Sequence, residues 1–374
     1  MIPSSSPEIS IIVPTLNEVL NIPRLVPAIT EALKEHDIEI LVVDDMSTDG
    51  TAEAVRQMEA ALPVRLISRK KENGLSGAVL KGLAEARGHM AIVMDADFQH
   101  PPESLPALLE PLKSGCVDFV IGSRHVAGAS TDVSWGQLRR INSWGARLLA
   151  APLCRGVRDP MSGFFGLTRM AWEGTRGLAP LGYKIGLEFL AKNAAMRVSE
   201  VPIHFGLRVK GESKLSLREQ FRYLEHLSRL YDFRFPRLSP IVKFCVTWLL
   251  TWLVALPVFL GLSNVLRWPL LLAVPAALMC SDGVHAMLHW RYLSAEGAAE
   301  EVRSPWLGFL AMIAAELLVS FGAVVLLENE LRAPTPVKVF SLVILITAIC
   351  RYMLRKELRH DVRVLKAAVR GVKN

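Results

Sequence analysis

The sequence predicts an α/β domain built on a mainly parallel sheet, followed by an all-α membrane domain. Three observations lead there. Short apolar runs alternate with amphipathic segments up to about Leu230, two of those runs end in paired carboxylates, and long apolar stretches dominate from Ile241 onward. The 374 residues have room for one large domain or two, and a 51% hydrophobic fraction with mean hydropathy +0.31 is too apolar for a purely soluble enzyme. A formal charge of +7 suits anionic ligands or an anionic membrane surface. No basic stripe interleaved with aromatics supports nucleic acid as a partner. Cys116, Cys154, Cys245, Cys280 and Cys350 lie far apart, three of them in apolar runs, which argues against a disulfide framework or a zinc site. Met1 to Glu8 has neither the basic start nor the apolar stretch of a signal peptide, so the first domain is expected in the cytoplasm.

Ile9 to Val13 reads as a strand stopped by Pro14, and Thr15-Leu16-Asn17-Glu18 leads into an amphipathic helix from about Ile22 to Lys34. Ile38 to Val43 repeats the strand signal and ends in Asp44-Asp45. Ser47-Thr48-Asp49-Gly50-Thr51 then supplies turn chemistry and a cap for a helix through Ala60. Val64 to Ser68 is a third strand, followed by Arg69-Lys70-Lys71, a flexible Asn73-Gly74-Leu75-Ser76-Gly77 and a helix from Ala78 to Ala86. The central strand, Met90 to Met94, runs into Asp95-Ala96-Asp97-Phe98-Gln99, and Pro101-Pro102 prevents it from continuing. A helix near Glu103 to Leu112 and a strand from Phe119 to Ile121, ending in Gly122-Ser123-Arg124, come next.

Ligands of such sheets sit beyond the carboxyl ends of the parallel strands, so Glu18, Asp45, Asp95, Asp97 and Arg124 share one functional edge. Asp95 and Asp97 can converge on a hard cation beside a phosphate, or form an Asx-rich turn capping the next helix. The first strand-to-helix turn lacks Gly-x-Gly-x-x-Gly and no Walker loop occurs, which argues against a dinucleotide dehydrogenase or a P-loop enzyme.

Trp135 to Leu153 sets Arg139, Arg140 and Arg147 among tryptophans and leucines, as a helix lying in a membrane interface does; an ordinary surface helix is the alternative. Arg158 to Gly166 is a glycine-punctuated turn into a strand, placed to fold over the sheet edge. Tyr183-Lys184 begins a helix through about Asn193, Val198 to His204 is the last strand, and Gly206 to Lys214 is a cationic loop that can serve as a lid. After an amphipathic helix from Leu217 to Tyr231 come four apolar segments, about 241–262, 268–289, 306–327 and 336–353. A bilayer core needs about 20 helical residues. Arg229, Arg234, Arg237 and Lys243 before the first span, with Arg351, Arg355, Lys356 and Arg359 closing the last, put both ends in the cytoplasm. Asp282, His285 and Glu316 are polar within the spans, and the first two are spaced to pair on one helix face.

Ser10 to Glu18, Val42 to Asp45 with Ser47 to Thr51, Met94 to Pro102, Gly122-Ser123-Arg124 and Gly211-Glu212-Ser213-Lys214-Leu215 resemble, in that order, the family 2 inverting glycosyltransferases. Within them the chain is similar to the polyprenyl-phosphate (dolichol-phosphate) mannose synthases over about residues 8–230, and from Pro240 to the GtrA-type membrane domain fused to some of these enzymes. The resemblance implies an α/β GT-A (Rossmann-like) domain with interfacial helices over 1–235. A GtrA-like four-helix transmembrane domain over 236–357 and a basic cytoplasmic tail over 358–374 would follow.

It further implies that Pro14, Leu16, Glu18, Val43 and Asp45 cradle the nucleoside. Asp95, Asp97 and Gln99, with Ala96 between them, would hold Mg²⁺ or Mn²⁺ on the donor pyrophosphate. Arg124, Lys184, Arg208 and Lys214 would meet donor and acceptor phosphates, Arg139 the acceptor phosphate, and Asp97, Arg124, Arg208 and Lys214 would form the catalytic set. Gly74-Leu75-Ser76 stands where enzymes using UDP-sugars tend to carry Tyr-Gly-Gln, which favours GDP-mannose. The expected reaction is inverting transfer of mannose from GDP-mannose to polyprenyl (dolichyl) phosphate. It would run at the cytoplasmic face of the cell membrane, in a chain that forms a homo-oligomer through its membrane domain. Transfer from a UDP-sugar, and translocation or scaffolding of lipid-linked sugars, are the competing readings. A polysaccharide synthase would carry Gln-x-x-Arg-Trp, which the chain lacks.

Overall fold

The computed structural model describes residues 6–70, 74–132, 137–154, 156–182, 184–206, 217–280, 314, 317–325 and 340–346. Arg208 and Lys214, the polar Asp282, His285 and Glu316, and the basic tail lie outside them. The chain divides into two compact units, Met1–Pro236 and Arg237–Asn374.

In the first unit strands and helices alternate as the apolar pattern requires. They are β1 (Ile9–Thr15), α1 (Ile22–Ala32), β2 (Ile38–Asp44), α2 (Thr51–Met58), β3 (Val64–Ser68), α3 (Gly74–Glu85), β4 (Met90–Val93), α4 (Leu105–Lys113), β5 (Phe119–Ser123) and β6 (Ser130–Thr131). α5 (Gln137–Ala150), β7 (Phe165–Thr168), α6 (Arg169–Gly174), α7 (Ile185–Lys192), β8 (Val198–Pro202), β9 (His204–Phe205) and α8 (Leu217–Arg234) complete it. The main sheet runs β3-β2-β1-β4-β7-β5-β8. Only β7 is antiparallel to its neighbours; the remaining pairings are parallel. β6 and β9 form a separate two-stranded ribbon.

Every residue of β1 is buried, because helices cover both sheet faces. Its side chains alternate as a strand's must: Ile12 joins the core that contains Leu83 and Phe189, whereas Ile9, Ile11 and Val13 join the core that contains Leu25 and Leu108. Gly82 lets α3 lie directly on β1, since a Cβ there would come within 2.5 Å of Ile12.

Two local expectations are corrected. The stretch from Gly74 is not a flexible lead-in but the first turn of α3: the Asp45 carboxylate accepts the Gly74 N–H at 3.0 Å, satisfying a free helix donor and favouring the positive end of the dipole. The last strand breaks at Ile203, whose N–H donates to Ser123 of β5 while its carbonyl accepts from Ser130 of β6, so the chain changes sheets there. As expected, Pro101-Pro102 ends the strand and a helix follows; a 3₁₀ turn over Pro102–Ser104 leads into α4, a position where proline needs no donor.

In the second unit α9 (Ser239–Leu260) runs into a π turn over Gly261–Val265. Phe259 stacks on Phe340 with ring centroids 4.2 Å apart, and Ala255, Val274, Ala277, Val324 and Val343 surround them. Ile241, Val246, Leu249 and Leu253 on α9 are exposed. Among the described residues, no helix is long and apolar enough to cross a membrane.

Gly82→Leu is expected to cost about 1–3 kcal/mol or more by overpacking, lowering the urea midpoint. Gly145→Ala on α5, where a Cβ meets nothing within 4 Å, should instead stabilise by up to about 1 kcal/mol in the same titration.

Candidate active site

The carboxyl ends of β1, β2 and β4 each turn through a non-glycine residue with positive φ: Asn17 at 60°, Met46 at 67° and Phe98 at 62°. Such backbone holds only where its surroundings over-determine it. Here the first two tips interlock. Asn17 N–H donates to Ser47 Oγ (2.8 Å), Thr48 N–H to Asn17 Oδ1 (2.9 Å), Glu18 N–H to Thr51 Oγ1 (2.9 Å) and Val19 N–H to Asp49 Oδ2 (3.0 Å). Glu18 also accepts from Asn21 at 2.6 Å. Asp45 is buried and pairs with Arg69 at 2.7 Å besides capping α3. Of the other nucleoside candidates, Pro14 and Val43 are buried in adjacent strands, in register with each other, and Leu16 is half-buried.

At the central tip, Asp95 N–H donates to His100 Nδ1 at 3.0 Å. That nitrogen is therefore an acceptor, and the ring's proton sits on Nε2. Burial pushes the His100 pKa down to about 4, so the ring is neutral and its 3.7 Å approach to Asp95 Oδ2 is no ion pair. Phe164 stacks on it at 5.1 Å. Asp97 is buried and accepts the Gln99 N–H at 3.1 Å, while Gln99 exchanges backbone and side-chain contacts with Gly206 after β9. The 158–166 segment does fold over this edge: a Cβ on Gly163 would lie 3.4 Å from Asp95 Oδ2 and 3.3 Å from His100.

Two cations face this tip. Arg124 makes a bidentate pair with Asp159 at 2.7 and 2.8 Å, and its N–H also donates to Asp159 Oδ2 at 3.0 Å. Asp159 is fully buried, and its own turn is pinned by Glu200, which accepts the Arg158 and Asp159 N–H groups. Burial would raise the Asp159 pKa, but the Arg124 hydrogen bonds and charge outweigh it and hold the carboxyl below its usual range. Lys184 Nζ donates to the Met161 carbonyl at 2.6 Å. Although the residue as a whole is half-buried, its ammonium lies deep among protein atoms, and desolvation, aided by the Arg124 charge, lowers its pKa to about 7.

The tertiary fold thus brings Asp95, Ala96, Asp97, Gln99, Arg124 and Lys184 to one edge region. The Arg139 side chain lies outside the described set, but α5 does expose Trp144, Leu148 and Leu149. Sequence reading missed Asp159 and His100. An Arg–Asp pair 35 residues apart has no periodic signature, and a histidine beside two prolines looks like loop filler. Among the described residues no group of three or more His, Cys, Asp and Glu side chains forms a metal cage. Two adjacent carboxylates nonetheless fit a Mg²⁺ or Mn²⁺ that completes its shell with substrate phosphate oxygens.

The family model described as Glycosyl transferase family 2 matches residues 10–174. A dolichol-phosphate mannosyltransferase of Pyrococcus furiosus is 43% identical over 242 residues, covering 64% of this chain and 68% of that protein. The Mycosarcoma maydis protein of the same description is 45% identical, over 64% of this chain and 84% of its own length. The one from Saccharomyces cerevisiae is 41% identical, over 64% and 93% respectively.

Asp159→Ala strands the Arg124 charge and should cost about 3–5 kcal/mol in urea unfolding at pH 7. Because the native carboxyl's pKa is depressed, the stability it adds is present above about pH 4 and lost as pH falls through the native value, so the variant's acid limb should be flatter. Lys184 behaves oppositely: its native pKa lies below its unfolded one, so burying its charge costs most below pH 7 and nothing above about pH 10. Lys184→Met should therefore raise Tm at pH 6, with the gain fading toward pH 10 and a higher KM for the nucleotide donor.

Proposed function

The chain belongs to the dolichol-phosphate mannosyltransferase family within glycosyl transferase family 2, and on that footing we propose how its site works. It is a glycosyltransferase that moves mannose to a polyprenyl phosphate. We propose GDP-mannose as donor, in keeping with the Gly74-Leu75-Ser76 segment, and a β-mannosyl phosphoryl polyprenol as product. The observation that carries this reading is the meeting, at one sheet edge, of two carboxylates with a cation set held by its own buried counter-charge.

An acceptor monophosphate has a second pKa near 6 and is mostly dianionic at pH 7, so no general base is needed. The task of the protein is to hold two anions together. Asp95, Asp97 and Gln99 would hold Mg²⁺ or Mn²⁺, which when bound screens charge on the leaving diphosphate. Asp159 holds the Arg124 guanidinium in one direction, with Phe205 beneath it at 5.1 Å, so this donor requires little reorganisation as charge develops. Lys184, whose charged form burial disfavours, would be held protonated by an arriving diphosphate. Arg208 and Lys214, which follow β9 in the sequence, would complete the cationic side, and Arg139 would meet the acceptor. Attack from the face opposite the diphosphate inverts the anomeric carbon.

Our reading extends to the membrane. The exposed Trp144, Leu148 and Leu149 of α5 support an interfacial seat, and the exposed apolar side chains of α9 with the four apolar stretches support a GtrA-like transmembrane domain. Both ends would be cytoplasmic, and the membrane domain would mediate any homo-oligomer.

Purified full-length protein should make labelled lipid from GDP-mannose, but not from UDP-glucose or UDP-N-acetylglucosamine, and only with Mg²⁺ or Mn²⁺ present. Product from a UDP-sugar overturns the donor; metal-independent turnover overturns the metal. Asp97→Ala should abolish transfer while costing no more than about 1–2 kcal/mol of stability, and substantial turnover by that variant would sink the metal-ligand role.

A further inference from the structure

Among the described residues, Glu188 is the most completely buried carboxylate that the proposed reaction does not use. Its side chain is 1% exposed, on the inner face of α7. One oxygen accepts the Ala179 N–H at 2.7 Å and the Lys192 ammonium at 2.5 Å; the other meets His226 Nε2 of α8 at 3.2 Å. Lys192 also donates to the Gly177 carbonyl, and Asn193 to Thr175 Oγ1 at 3.0 Å. A single carboxylate thus ties together α7, α8 and the segment from Thr175 to Gly182.

Both outlets of this node lead to the donor edge. Lys184 is the N-cap of α7, one turn from Glu188, and an eight-residue helix has no hinge between them. At the other outlet, the Gly182 carbonyl accepts Ser76 N–H at 3.4 Å in the first turn of α3, whose Gly74 is capped by Asp45. α8 presses on the same place, since a Cβ on Gly182 would lie 3.3 Å from Glu219 Oε2. α8 is itself fixed to α5 by Tyr223 and Tyr231, whose hydroxyls donate to the Ala146 and Leu149 carbonyls at 2.7 and 2.8 Å.

We propose that Glu188 is a positioning residue for the donor site, holding α7 and the Thr175–Gly182 segment in one register so that Lys184 meets the donor diphosphate. This rests on the functional reading above. A buried ion pair is often replaceable by apolar groups without loss of stability, so stability alone does not require this charge. What it supplies is a fixed geometry for a group that acts elsewhere.

The test uses full-length protein in detergent: titration with GDP and Mn²⁺, and steady-state transfer from GDP-mannose, for wild type, Glu188→Gln, Lys184→Met and the double variant. Glu188→Gln should raise the GDP Kd and the donor KM about tenfold with kcat changed less than about threefold. The double variant should fall well short of the product of the single losses, because the positioned group is already gone. A Glu188→Gln protein that melts earlier but keeps wild-type Kd and KM overturns the proposal, as do single losses that simply multiply. If Glu188→Gln does not fold, His226→Leu removes one arm of the node and should raise the donor KM in the same direction; an unchanged KM overturns the proposal. Wild-type protein that binds no GDP sinks the functional reading and this assignment with it, whereas equal binding by wild type and Glu188→Gln sinks this assignment alone.

Discussion

The cationic side of the site depends on one fully buried carboxylate. Asp159 would be untenable alone at 0% exposure, and Arg124 takes its direction from it. Paired bidentately, they fix each other, and the cost of desolvating both is offset by three hydrogen bonds to one side chain. The pair also joins the end of β5 to the 158–166 segment, which then passes close to Asp95 and His100 at Gly163. Charge placement and chain path are one constraint.

The carboxylate side is held differently, by neutral groups. His100 gives up its charge to burial and serves as an acceptor for the Asp95 N–H, so the ring fixes the strand tip without adding a charge of its own beside the carboxylates. Bent backbone at Asn17, Met46 and Phe98 turns three parallel strands away from their ladders, exposing polar tips that a continuing strand would have paired. Side-chain hydrogen bonds between the first two tips hold the bends at Asn17 and Met46, and the Asp97 carboxylate, accepting the Gln99 N–H, spans the one at Phe98.

Lys184 and Glu188 show how the two halves are joined. An ammonium deep in protein is costly to hold, so its position must be fixed by the structure around it. The Met161 carbonyl holds its tip, and α7 holds its stem. The helix is anchored in turn by a carboxylate that also reaches α8 and the segment leading to α3.

Apolar periodicity by itself marked β1 to β5 and the helices between them, and Glu18, Asp45, Asp95 and Asp97 marked the sheet edge where the candidate site lies, because both signals are local: a side chain's alternation and a strand's terminus are read within a few residues. The ordered motifs then identified the family and the reaction. Only the tertiary structure decided what those residues do to one another. It made Asp45 a helix cap and an Arg69 partner, made His100 a neutral acceptor, and gave Arg124 its counter-charge in Asp159 and α7 its anchor in Glu188. Apart from the contact between Asp95 and His100, which lie in one turn, these pairings join residues tens of positions apart, and hydrogen bonds of that range leave no period in a sequence. The charge state of a buried lysine or histidine is set by the same packing, since desolvation exists only once the surrounding chain has closed.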